Sequence, residues 1–197
     1  MKTFLSVDVE DWFQVDNLKQ AITRDSWDGN VSRVERNVDV ILGLLDKYDS
    51  KATFFVLGWI ADRFPQVVKK IHQQGHEIAC HGYNHELVYS LTPESFRQDV
   101  IKTKNILEDS IGEKIIGYRA PNFSITDWAI DVLISLGFKY DSSLFLTIAH
   151  NRYGKLKDYK VSNHSIFELK KNFYQVMLSN VDIAGIKLPW SGGFYFR

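Results

Sequence analysis

The chain has 197 residues, 45% hydrophobic and 14% aromatic, which suits one globular domain with a buried core and excludes a disordered chain. Its 24 basic and 24 acidic residues balance, so the basic excess of a nucleic-acid binder is absent. One cysteine, Cys80, excludes an intrachain disulfide, and in the run Ile78-Ala79-Cys80 it reads as a small core residue.

Thr3 to Val9 is a short β-branched run that predicts a strand ending abruptly in acid, at Asp8, Glu10 and Asp11. This start holds no long apolar segment, so it does not read as a signal peptide. No run of about 18 apolar residues predicts a membrane span, and on those grounds the chain reads as cytoplasmic. A polar loop reaches about Asn30. Val34, Val38, Ile41, Leu42 and Leu45 then recur at helical spacing, with Asn30 or Ser32 as cap. Ala52 to Leu57 predicts a buried strand. Ile60 to Ile71 predicts a second helix, interrupted or started afresh at Pro65 and stopped by Gly75. Glu77 to Cys80 predicts a third strand, ending at His81. Thr92 caps a third helix with Pro93 at its first position, running to about Ile111. Lys114 to Tyr118 predicts a strand followed by Arg119-Ala120-Pro121. Thr126 to Leu136 predicts a helix, and Phe138 to Tyr140 a strand ending in Asp141-Ser142-Ser143. After residue 143 the pattern weakens, with short strands expected at Phe167 to Leu169 and Gly185 to Leu188.

Strands alternating with helices over short connections predict an α/β fold, a parallel sheet with helices outside. Without a glycine-rich nucleotide fingerprint, a β/α barrel fits at least as well as an open sheet. The polar clusters fall at strand ends: Asp8, Glu10 and Asp11, then His81 and His85, then Arg119, then Asp141. In β/α barrels those ends carry the active site. His81-Gly82-Tyr83-Asn84-His85 spaces two imidazoles by four, which on a helical turn puts both on one side. Two imidazoles and a carboxylate suit a divalent transition ion such as zinc. Asp8 and Glu10 share a face of an extended strand, so one carboxylate can hold the ion while another serves as general base. Arg119 is a candidate to hold that base by a bidentate contact. Trp12, Phe13, Trp190, Phe194, Tyr195 and Phe196 include candidates for stacking on sugar rings, although core packing is the ordinary role of any one of them. His72, His76, His150 and His164 fit no metal spacing.

Taken together, SVDVEDWF (6–13), TFFVLG (53–58), HEIACHGYNHE (76–86), GYRAPNFS (117–124), YDSSLF (140–145) and LPWSGGFYFR (188–197) resemble the polysaccharide deacetylase family. This is the NodB-homology group, carbohydrate esterase family 4. The resemblance spans residues 1–197 and implies a distorted β/α barrel of about seven strands. It also implies an Asp-His-His metal site and hydrolytic deacetylation of a glycan or its precursor. It places His81 and His85 as metal ligands, Asp8 as base, Arg119 as the residue orienting it with Pro121 beside it, and the backbone at Tyr83 at the oxyanion. The first motif departs from the usual pair of aspartates, so either Glu10 or Asp11 is the metal carboxylate. It looks like the branch that includes deacetylases linked to exopolysaccharide loci and allantoinase-like amidases. The family's late histidine, a general acid, has no counterpart after His164, which suggests a chain incomplete at its C-terminus. Acetyl removal from an N-acetylated sugar with one divalent transition ion, zinc by donor set, is the expected activity. An allantoinase-like amidase and a catalytically impaired carbohydrate-binding protein are the alternatives.

Overall fold

Because Phe54, Phe55, Val56 and Leu57 are apolar without alternation, their strand must be covered on both faces, as strands of parallel α/β sheets are. In the computed structural model all four are at most 1% exposed. The structure describes residues 4–144, 154, 156–159, 162, 164–183 and 186–189. Backbone contacts divide the chain into two units, Met1–Glu86 with Gln98–Ile115, and Leu87–Arg97 with Ile116–Arg197.

In the first unit, β1 (Leu5–Val9), β2 (Ala52–Val56) and β3 (Glu77–Cys80) pair in parallel in the order β1-β2-β3. Between β1 and β2 lies α1 (Val34–Lys47), which buries Val34, Val38, Leu42 and Leu45 at the spacing the sequence predicts. Between β2 and β3 there are two helices, α2 (Gly58–Arg63) and α3 (Pro65–Gln73). Pro65 starts α3 afresh, because proline tolerates the first helical position and no interior one. Gly75 ends it at φ +77°, a left-handed conformation that favours glycine.

α4 (Pro93–Ile111) follows Thr92, whose Oγ1 accepts the Ser95 N–H while Ser95 Oγ accepts the Thr92 N–H. In the second unit, β4 (Gly117–Tyr118), α5 (Asp127–Ser135) and β5 (Tyr140–Asp141) come in turn. β6 (Ile166–Lys170) and β7 (Phe173–Val176) complete the strand order β4-β5-β7-β6. β7 lies parallel to β5 and antiparallel to β6, so the arrangement is mixed where parallel pairing alone was expected. A hairpin needs no crossover helix, and Asn172 at φ +62° turns it. β7 was not expected from the sequence, nor was β8 (Asn180–Ile183), which pairs with β9 (Ile186–Pro189). The fourth strand is shorter than expected, with Lys114 to Ile116 outside it.

Candidate metal centre

The registers of β1, β2 and β3 align Val9, Val56 and Cys80 in one row. Pairing runs one step further, with Leu57 N–H donating to Val9 O (3.2 Å) and His81 N–H to Val56 O (3.1 Å). Glu10 and His81 are therefore the first residues past the same edge, with β2 between them. Neighbouring strands lie about 4.8 Å apart, so the two backbones are separated by about 10 Å. A long acid can bridge that gap. One donor atom from each of Glu10, His81 and His85 lies within 4.8 Å of the others.

The histidine pair does not sit on a helical turn as the spacing suggested. Residues 81–86 form an irregular loop in which Gly82 has φ +73° and His85 φ +55°. Two left-handed residues fold the loop back, and this reversal brings His85 to face His81 with ring centres 5.6 Å apart. A non-glycine residue in that region is strained, and such strain persists only where surrounding contacts over-determine it.

His81 is 1% and His85 6% exposed. His85 Nε2 lies 2.6 Å from Glu10 Oε2. Burial pushes Glu10 up, but the opposing charge of His85 prevails and holds the carboxyl below its ordinary value. Burial pushes His85 down, and the Glu10 carboxylate prevails to raise it. The charge of Asp8 pushes both pKa values up. His85 Nδ1 is buried without a hydrogen-bond partner among the described residues. Buried polar atoms are ordinarily satisfied, and a carboxylate set against two buried imidazoles, one with its second nitrogen unpartnered, suits a cation. The donor set, two nitrogens and one oxygen, is that of a zinc-type site with open positions.

Asp11 does not join this cluster. Its Oδ2 accepts from Ser32 Oγ (2.6 Å) and from the Arg33 N–H (2.9 Å) at the start of α1, and Oδ1 accepts from the Trp12 N–H (2.9 Å). The N–H of Tyr83, expected near an oxyanion, instead donates to Asp99 Oδ2 at 2.8 Å. Asp99 was missed in the sequence; it shares the face of α4 that buries Phe96, Val100, Thr103 and Leu107. In the second unit, Arg119 is buried and donates to Ser142 O (3.0 Å) and Ser142 Oγ (2.9 Å), while Pro121 opens a short 3₁₀ turn, Pro121–Phe123. Asp141 is buried with both oxygens occupied, by the Ser143 N–H (2.9 Å) and Ser143 Oγ (2.6 Å).

Phe13 is core, packed edge-on against Trp59 and tilted against Trp27, whereas Trp12 is partly exposed with its indole N–H on Val31 O. His85 also lines a cleft with Gln14, Asp16 and Arg24, and Arg24 Nε donates to Asn84 Oδ1 (2.8 Å). Trp190, Phe194, Tyr195, Phe196 and His150 lie outside the described residues. His76 is buried, with Nδ1 accepting from the Ala52 N–H, and His72 pairs with Glu113 at 3.7 Å.

A family profile described as polysaccharide deacetylase matches residues 20–140. A peptidoglycan deacetylase of Helicobacter pylori is 33% identical over 110 residues, which are 56% of this chain and 38% of that protein. A peptidoglycan-N-acetylglucosamine deacetylase of Bacillus cereus is 33% identical over 129 residues, covering 58% of this chain and 45% of that one. The chain thus spans less than half the length of these relatives. A crystal structure described as a polysaccharide deacetylase from Mycobacterium smegmatis superposes with a TM-score of 0.61 at 25% identity. It covers 89% of this chain and 58% of the other. Among the described residues no helix is long and apolar enough to cross a membrane.

Proposed function

The chain belongs to the polysaccharide deacetylase family, and from that membership we propose that it removes acetyl groups from N-acetylated sugars of a glycan or its precursor, using one divalent ion, zinc by preference of the donor set. The observation that carries this reading is the cluster of Glu10, His81 and His85, one donor atom of each within 4.8 Å of the others. The relatives named above act, by their names, on peptidoglycan, which makes N-acetylglucosamine the first sugar to test.

Glu10, His81 and His85 would hold the ion. When bound, it supplies a Lewis acid for the acetyl carbonyl and lowers the pKa of water. Asp8 shares the face of β1 from which Glu10 departs, and it is the base that takes the proton of the attacking water. Glu10 cannot serve as that base while its oxygen binds the ion. The two carboxylates therefore divide the work. For Arg119, whose guanidinium donates to Ser142 O and Oγ, the family resemblance implies a supporting role in catalysis, and Arg119→Lys should weaken activity because an ammonium lacks the planar fork of a guanidinium.

The test is metal content and acetate release together. The wild type should hold about one transition ion per chain and release acetate from N-acetylglucosamine oligomers. The His81→Ala/His85→Ala variant should lose both. A folded wild type that holds no ion after addition of zinc or cobalt would overturn the reading. Ring-opening of a ureide without acetate release would move it to a small-molecule amidase.

A further inference from the structure

The loop that carries both imidazoles, residues 81–85, belongs to no helix or strand, so its shape must come from outside contacts. One edge is held by α2. Gly58 N–H donates to Gly82 O (2.7 Å) and Trp59 N–H to Tyr83 O (3.2 Å). This approach needs a glycine, because a Cβ at Gly58 would lie 2.6 Å from Tyr83 Cδ2 and 2.5 Å from Thr103 Oγ1. The other edge presents two N–H groups, and both point at one side chain of α4. Asp99 Oδ2 accepts from Tyr83 N (2.8 Å) and Asp99 Oδ1 from Asn84 N (3.4 Å). The ring of Tyr83 is held separately, its hydroxyl on Asp62 Oδ2 (2.8 Å) and Lys102 Nζ 3.4 Å from its centre. Among the described residues, what Asp99 supplies is therefore an acceptor for the loop backbone between the two histidines.

We infer that Asp99 is a positioning residue for the metal loop: by accepting the N–H groups of Tyr83 and Asn84 it holds His81 and His85 in the arrangement that faces Glu10. The inference rests on the metal-site reading above. A neutral amide in its place keeps one acceptor oxygen and turns an N–H₂ toward a backbone donor, so one of the two contacts is lost. The left-handed backbone at His85 then has one fewer contact to hold it. The cost falls on ligand geometry, because outer groups that orient metal ligands set affinity without touching the ion. Burial pushes the Asp99 carboxyl up to about 6, and the two N–H groups pull it the other way.

The experiment compares the full chain with Asp99→Asn and Asp99→Glu in two readouts. The first is amide hydrogen exchange in the metal-free protein. At least one of Tyr83 and Asn84 should exchange at least about tenfold faster in Asp99→Asn, while Ile78 to Cys80 of β3 keep their rates. The second is titration with cobalt(II), followed by its visible absorption. Asp99→Asn should bind about ten- to a hundredfold more weakly, with an altered band shape, and Asp99→Glu should fall between it and the wild type. Unchanged exchange at both Tyr83 and Asn84, or unchanged cobalt affinity and spectrum, in Asp99→Asn would overturn the inference. So would equal acceleration of the β3 amides, which marks a general loss of stability. A wild type that binds no cobalt overturns the metal reading instead, a result the exchange data separate from failure of the Asp99 contact.

Discussion

The ends of β1 and β5 both bury acid, and they use it in opposite ways. At β5, Asp141 closes on its own turn, each oxygen taken by Ser143. At β1, Glu10 extends past its strand toward His81 and His85, with Oε2 2.6 Å from His85 Nε2. The ionisation follows the same division. Burial pushes Asp141 up to about 6 despite those hydrogen bonds, whereas at Glu10 the charge of His85 overcomes burial and holds the group low. Burial of an acid therefore does not by itself mark a site. An acid held by its own turn is architecture, and one set against two imidazoles belongs to a donor set that suits a cation.

The largest expected effects break this comparison at the β1 end. Asp8→Asn should lower kcat by about 10²- to 10⁴-fold, the usual worth of a general base, with metal content unchanged. Glu10→Gln should weaken metal binding by more than the about ten- to hundredfold that outer-shell changes produce. Asp141→Asn should leave metal affinity as it is. If elemental analysis showed Asp141→Asn losing the ion as readily as Glu10→Gln, the division between the two strand ends would fail.

A smaller effect is expected from pH. His85 has a raised pKa because Glu10 faces it, despite the opposing push of burial. A metal can bind its nitrogen only once the proton has left. Affinity should therefore fall about tenfold per pH unit below the folded-state pKa of His85 and level off above it. In the metal-free chain the signs are separate. The raised His85 stabilises the fold below its unfolded pKa and loses that contribution as pH rises through the folded one. The lowered Glu10 stabilises above its unfolded pKa and loses that as pH falls. In Glu10→Gln the break in metal affinity should move to lower pH, which titration with cobalt at several pH values would show. Asp141 sharpens the contrast. Its pKa is raised, so the native state holds the proton more tightly, and stability through this group falls as pH rises between roughly 4 and 6, by at most about 1.4 kcal/mol per unit. Asp141→Asn should flatten that slope in denaturant melts.

Much of this was legible in the sequence because it rests on local chemistry. The helical stripe Val34, Val38, Leu42, Leu45, the restart at Pro65 and the stop at Gly75 each came from residue type and spacing. The coincidence of Glu10 with His81 came from two strand ends, and the parallel register turned that coincidence into proximity. The errors have physical causes. A spacing of four suggested a helical turn for His81 and His85, but it says nothing about backbone handedness, and Gly82 and His85 reverse the chain without a helix. β7 and β8 gave weak signals because Phe173 to Val176 and Asn180 to Ile183 are short and carry polar residues. Asp99 was missed because a loop-holding acid on a helix is recognised by the backbone it meets, and that partner lies 16 residues away.

The smallest expected effect separates the two acids that the sequence left open. Asp11 is 3% exposed, as buried as a metal ligand, but its oxygens hold the entry to α1 through Ser32, Arg33 and its own neighbour Trp12. Arg33 stands at the helix boundary without a side-chain cap of its own. Asp11 thus reaches 22 residues along the chain to accept an N–H that the helix cannot satisfy internally. Removing such a contact costs about 0.5–2 kcal/mol. Asp11→Ala should lower stability by about 1 kcal/mol in a denaturant melt and leave cobalt affinity within about twofold of the wild type. Geometry favours this assignment over residue type. The carboxylate must cross two strand spacings to meet His81, and the extra methylene of glutamate suits that reach better than an aspartate already anchored at α1. If Asp11→Ala emptied the site while Glu10→Gln kept it, that geometric argument would be wrong, and the acid ligand would have to reach the imidazoles by rearranging the start of α1.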